Sequence, residues 1–205
     1  MKLTRFLLPA LIFLTLSTAP AVGWAMGDSL SPLQTVKTLL DAIKKIENGD
    51  KLTAKQQAAN KKNSEKAVTI LDVELVSQKT LGKYWEKRTE QEQGKFVAML
   101  GELFEWVAFP NSAKFFNELK LEYGETKEKK GIATVPLKVI HEEEGEVQID
   151  FVLKQNSKRW RVVDVVLDGV SMRSNLRSQF YKVLKKKNYP ELVRRMLKKL
   201  EDAKG

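Results

Sequence analysis

Few residues in this chain have the type and spacing to do covalent chemistry. His141 is the sole histidine, and it stands before Glu142, Glu143 and Glu144 at a turn between two runs of alternating residues. A general base must be held beside a nucleophile or a metal, and a solvated hairpin end offers neither. The glutamates lack the alternating acids and glycine of a calcium loop, so they read as a solvated tip. Gly169-Val170-Ser171 has the start of a nucleophile elbow, but Arg173 replaces the second glycine and no histidine lies downstream. Ser171 reads instead as the N-cap or first-turn residue of a helix starting near Arg173. No glycine-rich phosphate loop and no metal-ligand spacing is present, and the expectation is a protein that is not an enzyme and holds no metal or cofactor.

The composition sets the context. Lys2 and Arg5 precede an apolar run, LLPALIFLTL, followed by the small residues Ala19, Ala21, Gly23 and Ala25. This is the pattern of a cleaved general secretory signal over residues 1–25, with the run too short for a spanning helix. Residues 26–205 then form one domain. The chain has no cysteine, which excludes a lipid-anchored lipoprotein, a disulfide framework and a thiolate metal site, and an exported protein of this kind suits a bacterial periplasm. Its formal net charge is +10, and loss of the signal lowers that by two. Outside the cytosol the partners of such a surface are anionic lipid headgroups or acidic protein faces rather than nucleic acid.

The elements follow from periodicity. Ser31-Pro32 opens a helix with Leu33, Val36, Leu40, Ile43 and Ile46 at helical spacing, stopped by Gly49. Residues 51–66 are lysine-rich and read as a solvated helix or a connector, and 67–86 as helix in two pieces. Thr89 and Glu92 form a capping box for a helix with a broad apolar face that ends at Pro110. After residue 117 the period becomes two, through runs at 119–123, 131–141, 146–154 and 158–169 joined by short charged turns. Helices return at 173–186 and 190–202. The expected fold is α+β, with helices covering one face of a four-stranded antiparallel meander. Pro136 within a strand suggests an edge or a bulge. The sheet face and the helical faces 96–107 and 176–184 are expected to share one apolar interior.

Several stretches together resemble the MlaC family, also called the toluene-tolerance or ABC-transporter auxiliary component family. They are Trp160-Arg161-Val162-Val163-Asp164-Val165, Asp168-Gly169-Val170-Ser171, Asn175-Leu176-Arg177-Ser178-Gln179-Phe180 and Leu81-Gly82-Lys83-Tyr84-Trp85, with Phe96 in the helix that follows. The lysine content of 51–66, Gly94, Gly101 and the 106–116 segment depart from the pattern. The resemblance implies an NTF2-like cone, a curved sheet wrapped by helices around an apolar pocket. It implies a periplasmic carrier, with phospholipid as cargo, that shuttles between an outer-membrane lipoprotein–porin complex and an inner-membrane ABC transporter with its substrate-binding ring. Such a carrier maintains outer-membrane lipid asymmetry and acts as a monomer.

An acyl-chain site must be a dry slot of aliphatic and aromatic side chains. The candidates are Phe96, Leu100, Leu103, Phe104 and Val107 on the helix, and Val135, Leu137, Val139, Val147, Ile149 and Phe151 on the sheet. Arg173, Arg177, Arg194 and Arg195 are the candidates for contact with headgroups or partners. Asp168-Gly169 is expected to turn the last strand, with Asn175, Arg177 and Gln179 tying the corner by hydrogen bonds. The alternatives are an interaction module of the same fold with a filled core, a membrane-surface binder using the tail 189–205, and an NTF2-like enzyme with titratable groups in its pocket.

Overall fold

The computed structural model describes residues 30–205, except 50, 117–118, 142–144 and the side chain of His141. The expected signal segment and the glutamate cluster therefore lie outside the described residues.

Helix α1 (Pro32–Lys44) starts where Ser31 accepts the Gln34 N–H with Pro32 in the first turn. The lysine-rich segment is helical as α2 (Ala54–Val68), opened by a capping box between Thr53 and Gln56. After a short break comes α3 (Val73–Leu81), capped by Asp72. In α4 (Glu90–Leu103), Thr89 accepts the Glu92 N–H while Glu92 accepts the Thr89 N–H.

Pro110 does not end this helix. The backbone widens into a π-turn over Phe104–Ala108, in which the Phe109 N–H donates to the Phe104 carbonyl, and continues as α5 (Phe109–Phe116). A proline is tolerated at the second residue of a new helix, where its missing N–H costs nothing. The wide turn absorbs the change of register.

The sheet has six strands, two more than the alternation alone revealed. Strands β1 (Lys120–Tyr123) and β2 (Lys127–Lys129) share one side of β3 (Ile132–His141), which pairs with β4 (Gly145–Asn156); then come β5 (Arg159–Leu167) and the short β6 (Val170–Ser171). All these pairings are antiparallel. The extra strands are only two or three residues long, too short to show a period, and they lie within segments that read as charged turns. Tight turns at Lys130-Gly131, Ser157-Lys158 and Asp168-Gly169 all have both φ angles positive, the geometry that matches strand twist in a two-residue hairpin.

Pro136 sits in an interior strand. Its neighbour on one side changes from β1 to β2, and there the Gly124 N–H donates to the Pro136 carbonyl at 2.8 Å. An N–H at Pro136 would point to this same gap in the ladder, so its absence leaves no regular bond unmade.

Two apolar clusters form, where one interior was expected. The first lies between the sheet, α1 and α5, the second among α3, α4, α6 (Met172–Lys186) and α7 (Tyr189–Lys204). Val73 and Phe104 pack against both. With α1 and α5 already packed on the sheet, α4 turns its apolar stripe to the other helices. The tail helix spends its apolar face in the same way, burying Leu192, Met196 and Leu200.

The closeness of Gly124 to Pro136 gives a test of the β1–β2 junction. A Cβ at Gly124 would stand 3.1 Å from that of Pro136. Gly124→Val should therefore lower the unfolding free energy by about 1–3 kcal/mol, read from the midpoint of chemical denaturation.

Candidate functional site

A cavity of about 690 Å3 opens between the sheet and the helices. Its deep walls come from three places. Helix α1 contributes Leu39, Leu40 and Ile43; β4 contributes Val147, Ile149 and Phe151; and β5 contributes an unbroken run from Val162 to Val165. A regular pleat would send alternate residues of such a run to opposite faces. Here Val152 pairs with Asp164 while Leu153 pairs with Val162, so Val163 is the extra residue of a bulge. The π-turn and α5 close the far side with Phe104, Ala108, Phe109, Phe115 and Phe116. The remaining wall is the start of α6, with Met172, Arg173, Asn175, Leu176 and Gln179, together with Leu71 and Val76 from before and within α3.

The corner at residues 162–180 is tied by a residue that sequence reasoning passed over. Asp164 is buried, and its carboxylate accepts from the Ser171 hydroxyl at 2.6 Å, the Arg173 N–H at 3.0 Å and the Val165 N–H at 2.9 Å. The Arg173 guanidinium lies 3.5 Å from the same carboxylate and donates to the Val163 carbonyl. Ser171 is the N-cap of α6, accepting the Ser174 N–H. One anion thus satisfies the first turn of a helix and fixes it against the bulged strand. The signal in sequence was the lone acid within the apolar run WRVVDVVL. Asn175, Arg177 and Gln179 take no part in the knot: Gln179 donates to Asn175, and Arg177 to the Tyr181 hydroxyl. Asp168 does shape the turn, since its carboxylate accepts the Gln148 N–H and its backbone N–H donates to the Gln148 carbonyl.

The sequence candidates separate into groups. Phe104, Val147, Ile149 and Phe151 line the cavity. Val135, Leu137 and Val139 are fully buried and face the same way as their β4 partners Phe151, Ile149 and Val147. They belong to the packed core that includes α1 rather than to the cavity wall. Phe96 and Leu100 are buried in the helical cluster, with Leu103 packed against it; Val107 is half-buried in the π-turn. The contributions of α1, β5 and α5 were not anticipated, because core and cavity walls call for the same side chains.

The four arginines have different surroundings. Arg173 lines the cavity and is paired with Asp164. Arg177 lies over the Tyr181 ring and has no carboxylate partner among the described residues. Arg194 and Arg195 both grip Glu191, at 2.7 and 2.8 Å, and these hydrogen bonds hold its carboxyl down at about 2.

A family model described as MlaC protein matches residues 34–198. A solved phospholipid-binding protein from Ralstonia solanacearum, determined in complex with a phospholipid, shares the fold. It superposes with a TM-score of 0.67 at 18% sequence identity, over 83% of this chain and 97% of its own. No curated protein sequence matches the chain.

If Asp164 ties the corner, its removal strands buried donors and the Arg173 charge together. Asp164→Ala should cost about 2–4 kcal/mol of stability, measured by denaturant unfolding. Asp164→Asn, which keeps part of the acceptor set, should cost less.

Proposed function

The chain belongs to the MlaC family, and from that premise we propose that it is a phospholipid carrier of the bacterial periplasm rather than an enzyme. The observation that carries the proposal is the cavity itself, about 690 Å3 with buried aliphatic and aromatic walls and polar residues gathered at its opening. That size falls within the range of small-molecule and cofactor pockets. Acyl chains would lie against Ile149, Phe151, Val162 and Phe104, leaving the headgroup near the start of α6. The lipid held by the Ralstonia protein supports this reading.

A filled interaction module has no use for such a space. An enzyme would need a titratable group held inside the cavity and free to react, whereas the carboxylate buried there, that of Asp164, is engaged by three hydrogen-bond donors and a guanidinium, and Asp168 stands at the exposed rim. Among the described residues, no helix is long and apolar enough to cross a membrane. The apolar face of the tail helix is occupied within the fold, which favours a carrier over a protein that inserts this tail into a bilayer.

The energetics dictate the manner of delivery. At about 0.8 kcal/mol per buried methylene, exposing two acyl chains costs on the order of 20 kcal/mol. Lipid therefore passes on only while the carrier is docked, first at an outer-membrane lipoprotein–porin complex and then at an inner-membrane ABC transporter, or in the reverse order. The basic outer faces, including Arg177 on α6 and Arg195 on α7, guide that docking.

Two experiments test these steps. Protein purified from a bacterial periplasm should show a mass excess matching phospholipid in native mass spectrometry. Val165→Trp, which fills the cavity from β5, should reduce the loaded fraction several-fold while leaving a cooperative unfolding transition. A bare parent protein that takes no lipid from vesicles would overturn the carrier reading. Separately, the double variant R177E/R195E should load lipid normally but transfer it more slowly to membranes bearing the transporter complex; an unchanged transfer rate would remove these residues from docking.

A further inference from the structure

The polar residues of the cavity wall are distributed by depth. The apolar walls from α1, β4 and β5 are largely buried, whereas Asn111, Asp168, Asn175 and Gln179 are exposed. The opening therefore lies between α5 on one side and the β5–β6 turn with the start of α6 on the other. Among the described residues, three charged ones line the cavity, Asp164, Asp168 and Arg173. Asp164 and Arg173 neutralise each other across 3.5 Å, and both oxygens of Asp164 accept hydrogen bonds. Asp168 is left. One of its oxygens accepts the Gln148 N–H, and the other has no hydrogen-bond partner among the described residues. The mouth thus carries one uncompensated negative charge in a chain whose formal charge is +10.

Resting on the carrier reading, we infer that this mouth discriminates between phospholipids by headgroup charge. It favours one bearing an ammonium over one that is only anionic, and Asp168 is the residue that sets the preference. The phosphate common to both lipids meets donors that bring little net charge. These are the Asn175 amide, whose oxygen is already engaged by Gln179, the Asn111 amide across the opening, and what remains of the paired Arg173 guanidinium. Such donors hold a phosphodiester without rewarding a second source of negative charge. A headgroup ammonium reaching Asp168 gains an ion pair, while a neutral glycerol in its place leaves phosphate and carboxylate to repel each other. Because the pair is solvent-exposed, its effect is modest and is screened by salt.

The test uses vesicles containing equal parts of phosphatidylethanolamine and phosphatidylglycerol with identical acyl chains. The purified, delipidated protein is incubated with them, and the bound lipid is identified by native mass spectrometry. The expected result is about a two- to fivefold excess of phosphatidylethanolamine, diminished at high salt and abolished in D168N. This variant keeps an oxygen to accept the Gln148 N–H, and asparagine tolerates the positive φ of 45° at this position. Loading with no preference, with an excess of phosphatidylglycerol, or with a preference unchanged in D168N would overturn the inference and leave the carrier reading standing. Failure of the parent protein to load either lipid would overturn both.

Discussion

Keeping a large space open inside a small domain is the constraint on which the rest of the structure depends. A closed void costs about 24 cal/mol for each cubic ångström. Over the roughly 690 Å3 of this cavity that would be on the order of 17 kcal/mol, more than the net stability of most domains. The space is therefore compatible with a stable fold only if it opens to solvent or is filled by a ligand, and its walls must be held apart by contacts made elsewhere. The long β3–β4 and β4–β5 ladders hold the sheet. The helical cluster of α3, α4, α6 and α7 supplies a second packed body beside it, and the cavity lies where these bodies meet.

The joints between the two bodies use irregular backbone. Residues 70–72, between α2 and α3, bond to the free side of β5: the Val162 N–H donates to the Ile70 carbonyl and the Asp72 N–H to the Val162 carbonyl. The bulge at Val163 lets the next residue, Asp164, reach the start of α6. The π-turn at Phe104–Ala108 carries the chain from the helical cluster, where α4 is packed, to α5 against α1 and the sheet. Each joint departs from regular geometry at the cavity wall, and each is anchored by hydrogen bonds rather than by filling the space with side chains. That is how a wall can be firm on one side and empty on the other.

Much of this was legible in sequence. The alternation in 131–141 and 146–154 placed Val135, Leu137 and Val139 on one side of one strand and Val147, Ile149 and Phe151 on one side of the next, and the ladder brings these two sets face to face. The Thr89–Glu92 box and the Ser31-Pro32 start gave helix ends because capping is local chemistry. What sequence could not separate was core from cavity. Leu137 and Ile149 are both buried aliphatic neighbours on one face, yet only Ile149 lines the space, since the difference lies in how far away the opposing helix sits. Helix-face periodicity likewise does not name the partner, so the stripe on α4 pointed equally well to the sheet and to other helices. Pro110 read as a stop because a π-turn has no sequence signature comparable to a cap.

The arrangement of charge completes the separation between inside and outside. Glu191 lies against Arg194 and Arg195, and Asp164 against Arg173, so both anions are held by cations of their own element or corner. The net positive charge is left to exposed lysines, to Arg159 and Arg177, and to the arginine pair that shares the single carboxylate of Glu191, on the outer surface and away from the cavity lining. A long-range field from such a surface draws the molecule toward anionic membranes and acidic proteins, while the cavity mouth has the opposite sign. The field of the molecule as a body and the charge at the cavity mouth are therefore set by different groups. Altering the outer charge can change how fast the molecule arrives without changing what fits within it.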